Sequence, residues 1–147
     1  MKLSTKGRYG TRVLLDLSRH NWKEPVPLKD IARRQQISLQ YLEHLISPLI
    51  SAGLIRSVRG AKGGIILNRA PEKIRLGEAI QILEGSIAPV DCIANPDICP
   101  RSKTCATRDV WDDVKKAMDR VLESVTLKDL VERQKAKEQT AEAMYHI

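Results

Sequence analysis

The sequence predicts a mainly α-helical fold with a small β-hairpin, followed by a long helix. Apolar residues recur every three or four positions over most of the 147-residue chain, which is the spacing of amphipathic helices. Two short runs, 54–58 and 65–68, contain β-branched residues and flank a glycine-rich segment, as the two strands of a hairpin do. After residue 107 the apolar residues step by three and four, as along the seam between packed helices.

Three helices are predicted before the hairpin. The first covers residues 5–20, the second begins at Leu28, and a turn at 35–37 separates it from the third. The third begins after Ser38, whose hydroxyl can cap the first backbone N–H groups of a helix. Helix, turn, helix and hairpin follow in the order of a winged helix-turn-helix, which we assign to residues 1–85.

The third helix carries an apolar face and a proline. We expect Leu39, Leu42 and Leu45 to face the core. Gly53 is expected to cap the end of this helix. Pro48 should kink the last turn or end the helix early, because proline cannot donate a helical hydrogen bond.

The chain after the hairpin divides into segments of different character. A fourth helix is predicted from Leu76 to Gly85, still within the winged domain. Residues 86–106 lack apolar periodicity, which predicts an irregular loop, and loops of this length are usually functional or disordered. Residues 107–134 are expected to form the long helix with its seam and a short last helix. Residues 135–147 are charged, and we expect a frayed tail.

Charge is distributed unevenly along the chain. Residues 1–75 contain 15 Lys and Arg but only 5 Asp and Glu, whereas residues 76–147 contain 10 and 13. A basic half joined to a mildly acidic half indicates that only the first half faces a polyanion such as DNA, although a solvated charged surface would look the same. The first residues of the sequence lack the apolar core of a signal peptide, so we expect none, and no apolar run approaches the roughly 18 residues of a membrane span. We therefore expect a cytoplasmic protein without a membrane partner.

The second helix of the predicted motif and the hairpin tip hold the candidate DNA contacts. In a helix-turn-helix, residues at the start of the second helix reach base edges, where Gln can pair with adenine and Glu with cytosine. Cationic side chains beside this helix and in the hairpin suit phosphates, and glycines let the hairpin backbone approach DNA closely. The candidates are Arg33, Arg34, Ser38, Gln40, Tyr41, Glu43, Arg59, Lys62, Gly63 and Gly64. Solvated helix surface and an ordinary tight turn are the alternatives.

All three cysteines, Cys92, Cys99 and Cys105, lie in the predicted loop. Six residues separate the first pair and five the second, which is longer than the spacing usual in zinc fingers. Thiolates at such gaps can hold an iron–sulfur cluster, and three free thiols are the alternative. An odd number of cysteines in a cytoplasmic protein argues against a disulfide framework. The spacing alone leaves metal binding and free thiols open.

Four segments, 2–9, 25–31, 37–43 and 57–64, closely resemble the family of bacterial winged-helix regulators headed by the iron–sulfur cluster regulator IscR. The nitric-oxide sensor NsrR and the cysteine-metabolism regulator CymR belong to the same family. The likeness runs from Met1 to about residue 134. It implies a homodimer crossed at the long helix, a 2Fe–2S cluster on the three cysteines (or 4Fe–4S, as in nitric-oxide sensors), and repression of iron–sulfur cluster assembly genes.

The resemblance also implies that Gln40, Tyr41 and Glu43 contact bases and that Arg59 enters the minor groove. This chain departs from the family pattern where the fourth cluster ligand is expected, because Arg108 replaces a histidine. A guanidinium that stays protonated is a very poor metal ligand. A replacement ligand could be a partner-chain group or one of Asp91, Asp97, Asp109, His20 and His44.

We also consider two other interpretations. One is a regulator that senses a different signal, and the other is a different class of protein. A cluster-free regulator could sense its signal through a bound protein partner, in the manner of CymR. A small iron–sulfur electron carrier or an enzyme would leave the basic hairpin unexplained. The sequence contains no Ser/His/Asp or Cys/His constellation that supports catalysis, so we predict that the protein is not an enzyme.

Overall fold

The computed structural model describes residues 2–146, and it shows helices packed around a two-stranded antiparallel sheet. This confirms the predicted mainly α-helical fold with a small hairpin. The elements in order are α1 (Thr5–Arg19), α2 (Leu28–Gln35), α3 (Leu39–Ser51), β1 (Ile55–Val58), β2 (Gly64–Leu67), α4 (Leu76–Glu84), α5 (Asp91–Ala94), α6 (Ala106–Ser124) and α7 (Leu127–Tyr145), with 3-10 turns at Pro71–Lys73 and Pro96–Ile98. Within residues 2–146, no helix combines the length and apolarity that a membrane crossing requires.

Side-chain caps mark the starts of three helices, α1, α3 and α7. The Ser4 hydroxyl accepts a hydrogen bond from the Gly7 N–H at the start of α1. As predicted, Ser38 caps α3, and its Oγ accepts a hydrogen bond of 3.0 Å from the Tyr41 N–H. Thr126 and Asp129 form a reciprocal capping box at the start of α7. These local signals explain why the helix starts were predictable.

One apolar core holds the winged domain together. It contains buried Leu, Ile and Val residues from α1, α2, α3 and the hairpin, and α4 and the first turn of α7 complete it. The hairpin pairs Ile55 with Leu67 and Val58 with Gly64. Val26 extends the sheet by a bridge to Ile65, with backbone hydrogen bonds of 2.9 and 3.0 Å. This bridge attaches the hairpin to the segment between α1 and α2.

One expectation about α3 is wrong, and of the two outcomes expected of Pro48 the early helix end is not observed. Leu39 was expected in the core, but its side chain is 38% exposed because it lies in the first turn, beyond the packed face. Pro48 does not end the helix, which continues to Ser51. The missing N–H removes only one hydrogen bond near the helix end, and the following Leu49 is fully buried and secures the last turn.

The C-terminal half is more regular than expected. The loop 86–106 contains α5 and a 3-10 turn, although neither buries a residue in the core. The expected frayed tail is helical in the structure, because α7 runs to Tyr145 and not to about residue 134. Residues 135–143 are mostly good helix formers, and Arg19 of α1 forms an ion pair of 2.7 Å with Glu138. Residue 147 lies outside the described residues.

Candidate DNA-binding surface and cysteine loop

The first turns of α3 present a polar surface to solvent. Ser38, Gln40 and Glu43 are exposed, while the opposite face of the helix is buried in the core. Tyr41 is half-buried, and its ring meets the ring of Tyr9 edge to face. The two ring centroids are 6.0 Å apart and the planes are at 86°. This contact fixes the first turn of α3 against α1.

The two candidate arginines at the end of α2 have different environments. Arg33 is 76% exposed, with one guanidinium nitrogen 3.6 Å from Asp30, so it is accessible to a phosphate. Arg34 donates to both carboxylate oxygens of Asp16, at 3.0 and 2.7 Å. The fold therefore already uses the guanidinium of Arg34, and we no longer count this residue among the phosphate contacts. Its partner Asp16 lies in the last turn of α1, 18 residues away in sequence, so the pairing has no local sequence signal.

Asp16 is the buried centre of this interaction, with only 4% of its surface exposed. Its Oδ2 also accepts a hydrogen bond of 2.9 Å from Gln35. Burial alone would raise the pKa of Asp16, but hydrogen bonds from Arg34 and Gln35, with the charges of Arg34 and His20, outweigh it and hold the pKa below its usual value. Asp16 is therefore ionised at neutral pH and fixes α2 and its following turn on α1.

The hairpin tip carries Arg59 and Lys62, and both side chains are exposed. The two candidate glycines have structural roles in the hairpin itself. A Cβ at Gly63 would overlap the Val58 carbonyl oxygen, and a Cβ at Gly64 would overlap the backbone of Val26. Gly64 also has a φ of +154°, a backbone conformation that residues with a side chain rarely adopt. Tight packing of the hairpin thus explains both glycines, whether or not they approach DNA.

The three cysteines lie on different small elements of the loop. Cys92 is in α5, Cys99 follows the second 3-10 turn, and Cys105 is the N-cap residue of α6. All are half-buried free thiols. Throughout residues 2–146, no three side chains of His, Cys, Asp or Glu come together as a metal-binding group. The residues as placed therefore do not fit a bound cluster, although thiolates are the right donors for one.

Arg108 stands where the family resemblance implies a histidine ligand. Its Nε and Nη2 each donate to the Cys92 carbonyl oxygen at 3.3 Å, so the side chain bridges α6 and α5. Cys105 has its Sγ 3.2 Å from the Thr107 hydroxyl. This side-chain hydrogen bond, with the backbone N–H of Arg108, lowers the pKa of the Cys105 thiol. These contacts therefore favour the thiolate form of Cys105 at the start of α6.

Helix α6 has an apolar face without a covering in this single chain. None of its 19 residues is buried. Val110, Trp111 and Val121 are 54%, 37% and 63% exposed, although the residues on other faces are charged. A long helix with a solvated apolar stripe is typical of an interface with another helix. Four of the five residues of the predicted seam, Val110, Val114, Ala117 and Val121, lie on α6 and none of these is buried, whereas Val125 follows the helix and is buried.

Comparison with known proteins identifies the family. The Rrf2 family, described as "Iron-dependent Transcriptional regulator", matches residues 3–133. Protein rrf2 of Nitratidesulfovibrio vulgaris is 48% identical over 89% of this chain and 87% of its own length. CymR of Bacillus subtilis, an HTH-type transcriptional regulator, is 42% identical over 88% of this chain and 89% of its own length.

Solved structures agree with these relatives. The structure of T. potens IscR has a TM-score of 0.75 and 43% identity, and the match covers 91% of this chain and 88% of that one. Relatives of both the IscR and the CymR type therefore match at similar identity. The resemblance is confirmed for the family, while the narrower likeness to IscR stays a prediction. The chain belongs to the Rrf2 family of DNA-binding transcriptional regulators.

Proposed function

We propose that the chain binds an operator in double-stranded DNA as a homodimer, and that α3 and the hairpin of each copy contact the DNA. The observation that carries the proposal is the exposure of the polar first turns of α3 together with the cationic hairpin tip, while the other face of α3 is buried. Such exposure is what a recognition helix and a wing require. A regulator of this kind acts on the chromosome, so we place it in the cytoplasm.

Within this surface the side chains have distinct roles. Gln40 and Glu43 reach base edges in the major groove, where each discriminates between bases by its donors and acceptors. Tyr41 packs on Tyr9 by its ring and meets the DNA only with its exposed edge. Ser38, Arg33 and Lys62 position the protein on phosphates, and Arg59 enters the minor groove. Gly63 and Gly64 hold the hairpin in the shape that presents these cations.

The homodimer forms through the apolar stripe of α6. Burying this stripe against its counterpart removes exposed Val110 and Val121 from water, and each such side chain contributes about 1.5–3 kcal/mol when fully buried. The oligomeric state tests this directly by analytical ultracentrifugation. Val121→Glu should convert the dimer to monomer, whereas Glu123→Gln, an exposed change on the same helix, should not. A Val121→Glu variant that stays dimeric would place the interface elsewhere.

The signal that controls DNA binding acts on the cysteine loop. We take iron–sulfur binding by Cys92, Cys99 and Cys105 as the first candidate, with repression of iron–sulfur cluster assembly genes as its consequence. Three thiols in one loop beside the dimerisation helix support it, as does the match to IscR. Cluster uptake would require a rearranged loop, because the thiols do not form a ligand group as they are placed, and a fourth ligand in place of Arg108.

Iron and acid-labile sulfide per chain, measured on anaerobically purified protein, test this candidate. About two of each indicate a 2Fe–2S cluster and about four of each a 4Fe–4S cluster. The triple variant with serine at the three cysteine positions should bind neither. Protein that binds its operator but contains no iron or sulfide in any preparation would contradict the candidate.

A cluster-free regulator, which senses through a protein partner, is the second candidate. Two observations favour it: the thiols are dispersed over three elements, and Arg108 binds the Cys92 carbonyl where a ligand is expected. In addition, the sequence identity of the chain to CymR is as high as its identity to the IscR relatives. This candidate predicts that the triple serine variant retains full operator affinity, whereas the cluster candidate predicts altered affinity.

A further inference from the structure

A polar cavity of about 630 Å³ lies between α1, the end of α2 and the part of α7 around Gln134. Its walls include Arg12, Asp16, Arg19, His20, Arg34 and Gln134. We propose that this cavity binds a small organic anion with a carboxylate or phosphate group, and that its occupancy is transmitted to α3. The cavity has the size of typical metabolite sites. Its α7 wall belongs to the helix that extends past residue 134.

Positive charge prevails in the cavity. Arg19 forms an ion pair with Glu138 at the rim, and Arg34 is neutralised by Asp16. Arg12 has no carboxylate partner among the described residues, and its guanidinium donates only to the neutral Gln35, at 3.0 and 3.5 Å. A guanidinium has five N–H donors in a planar fork that matches carboxylate and phosphate oxygens. Arg12 is therefore the group that an anion would engage first.

The buried carboxylate of Asp16 does not repel such a ligand strongly. Both of its oxygens accept hydrogen bonds from Arg34, and Gln35 donates a further one, so its charge is matched within the wall. Of the described residues that line the cavity, Asp16 alone carries a carboxylate, while Glu138 lies beside it through its ion pair with Arg19 and is 42% exposed. Glu138 competes with a bound anion for the guanidinium of Arg19, and replacing it with a neutral residue would remove this competition. An anion site predicts that this change strengthens binding.

A chain of ring contacts connects the cavity to the recognition helix. The guanidinium carbon of Arg12 lies 4.9 Å from the ring centroid of Tyr9, and the Tyr9 ring meets Tyr41 edge to face at 6.0 Å. Tyr41 belongs to the first turn of α3, next to Gln40. An anion that draws Arg12 toward the cavity weakens its cation–π contact and frees Tyr9 and Tyr41 to shift. This second step depends on the proposed role of α3 in DNA binding.

Isothermal titration calorimetry on the full-length protein without DNA tests the site alone. The probes are succinate and inorganic phosphate, with uncharged succinamide as the reference. Arg12→Gln should weaken binding of the better anion by about tenfold, because a charge-assisted hydrogen bond is lost. Glu138→Gln should tighten it about threefold, and Arg133→Gln, on the same helix, should change nothing. Tighter phosphate than succinate binding would indicate phosphate-bearing metabolites, and the reverse order carboxylates.

Two results of this experiment would overturn the site. The first is no heat with either anion up to about 10 mM, and the second is equal affinities in Arg12→Gln and Glu138→Gln. A third comes from DNA binding: if Arg12→Gln lowers the salt slope by about one, Arg12 is a phosphate contact of the DNA and not part of an effector site.

The coupling to α3 is tested separately on DNA. A saturating concentration of the better anion should change operator affinity about fivefold or more in the wild-type protein, at constant ionic strength. In Tyr9→Leu the anion should still bind, but operator affinity should no longer respond. A response that persists in Tyr9→Leu would refute this route. The calorimetric experiment contains no DNA, so it tests the anion site alone. Its result would therefore stand even if the proposed role of α3 in DNA binding were wrong.

Discussion

Replacing Asp16 with asparagine should lower the free energy of unfolding by about 2–4 kcal/mol. Asp16 is almost completely buried and accepts three hydrogen bonds from Arg34 and Gln35. Asparagine keeps the shape but removes the charge, which leaves the guanidinium of Arg34 without its partner. Removing one member of a buried ion pair typically costs about 3–5 kcal/mol. We expect a smaller loss for Asp16→Asn than for a fully buried pair, because the Arg34 side chain is 33% exposed and water can solvate it in part.

The matched control is another Asp–Arg pair in the same domain. Asp30 and Arg33 approach to 3.6 Å, but their side chains are 43% and 76% exposed. Asp30→Asn should therefore cost less than about 1 kcal/mol, as exposed ion pairs do. Burial, and not the presence of an ion pair, is the variable that separates the two variants.

Thermal unfolding followed by circular dichroism measures the difference, at equal protomer concentration because the protein is expected to dimerise. For a chain of this size 1 kcal/mol corresponds to about 3 °C, so Asp16→Asn should melt about 6–12 °C below the wild type. Asp30→Asn should melt within about 3 °C of it. Equal melting temperatures for the two variants would refute the assignment of Asp16 as the buried tie between α1 and α2.

The buried interaction of Asp16 with Arg34 and Gln35 also predicts that the stability of the protein depends on pH. The pKa of Asp16 is lowered in the folded protein, so its contribution to stability is fully present above the unfolded value of about 4 and is lost as the pH falls below it. The difference between wild type and Asp16→Asn should therefore be constant from neutral pH to about 5 and shrink below about 4. A difference that grows toward acid pH would contradict the lowered pKa.

Two further predictions concern the DNA-binding surface. Arg59→Ala should weaken operator binding and lower the slope of log affinity against log salt by about one, because one phosphate-proximal cation is lost; a slope equal to that of the wild type would remove the hairpin tip from the interface. Glu43→Ala should broaden the range of bound sequences and largely retain affinity for the best site, because a selective acceptor is lost. An equal loss on all sites would show that Glu43 supports the helix and does not discriminate between bases.

The sequence predicted the winged domain well because its signals are local. Ser38 caps α3 by a contact three residues away, and the hairpin follows from two short apolar runs around glycines. The apolar stripe of α6 was also visible as a spacing of three and four. In each case the residues that determine the element lie within the element or at its border.

Contacts between distant segments were not predictable in this way. The hydrogen bonds from Arg34 to Asp16 span 18 residues, and they change the role of Arg34 from a phosphate contact to a structural one. The far part of α7 consists of good helix formers and meets α1 through the ion pair between Glu138 and Arg19, 119 residues apart. Without that contact, a charged terminal segment resembles a frayed tail. The dispersed thiols of the loop likewise depend on how α5 and α6 pack.

Selection from a random pool of double-stranded DNA tests the central claim, that a homodimer reads DNA through α3 and the hairpin. The wild-type protein should enrich a near-palindromic site whose half-sites are about one helical turn, or a multiple of it, apart. The double variant Gln40→Ala/Glu43→Ala should lose this consensus. Failure of the wild-type protein to enrich any sequence, or the same consensus from the double variant, would contradict the account.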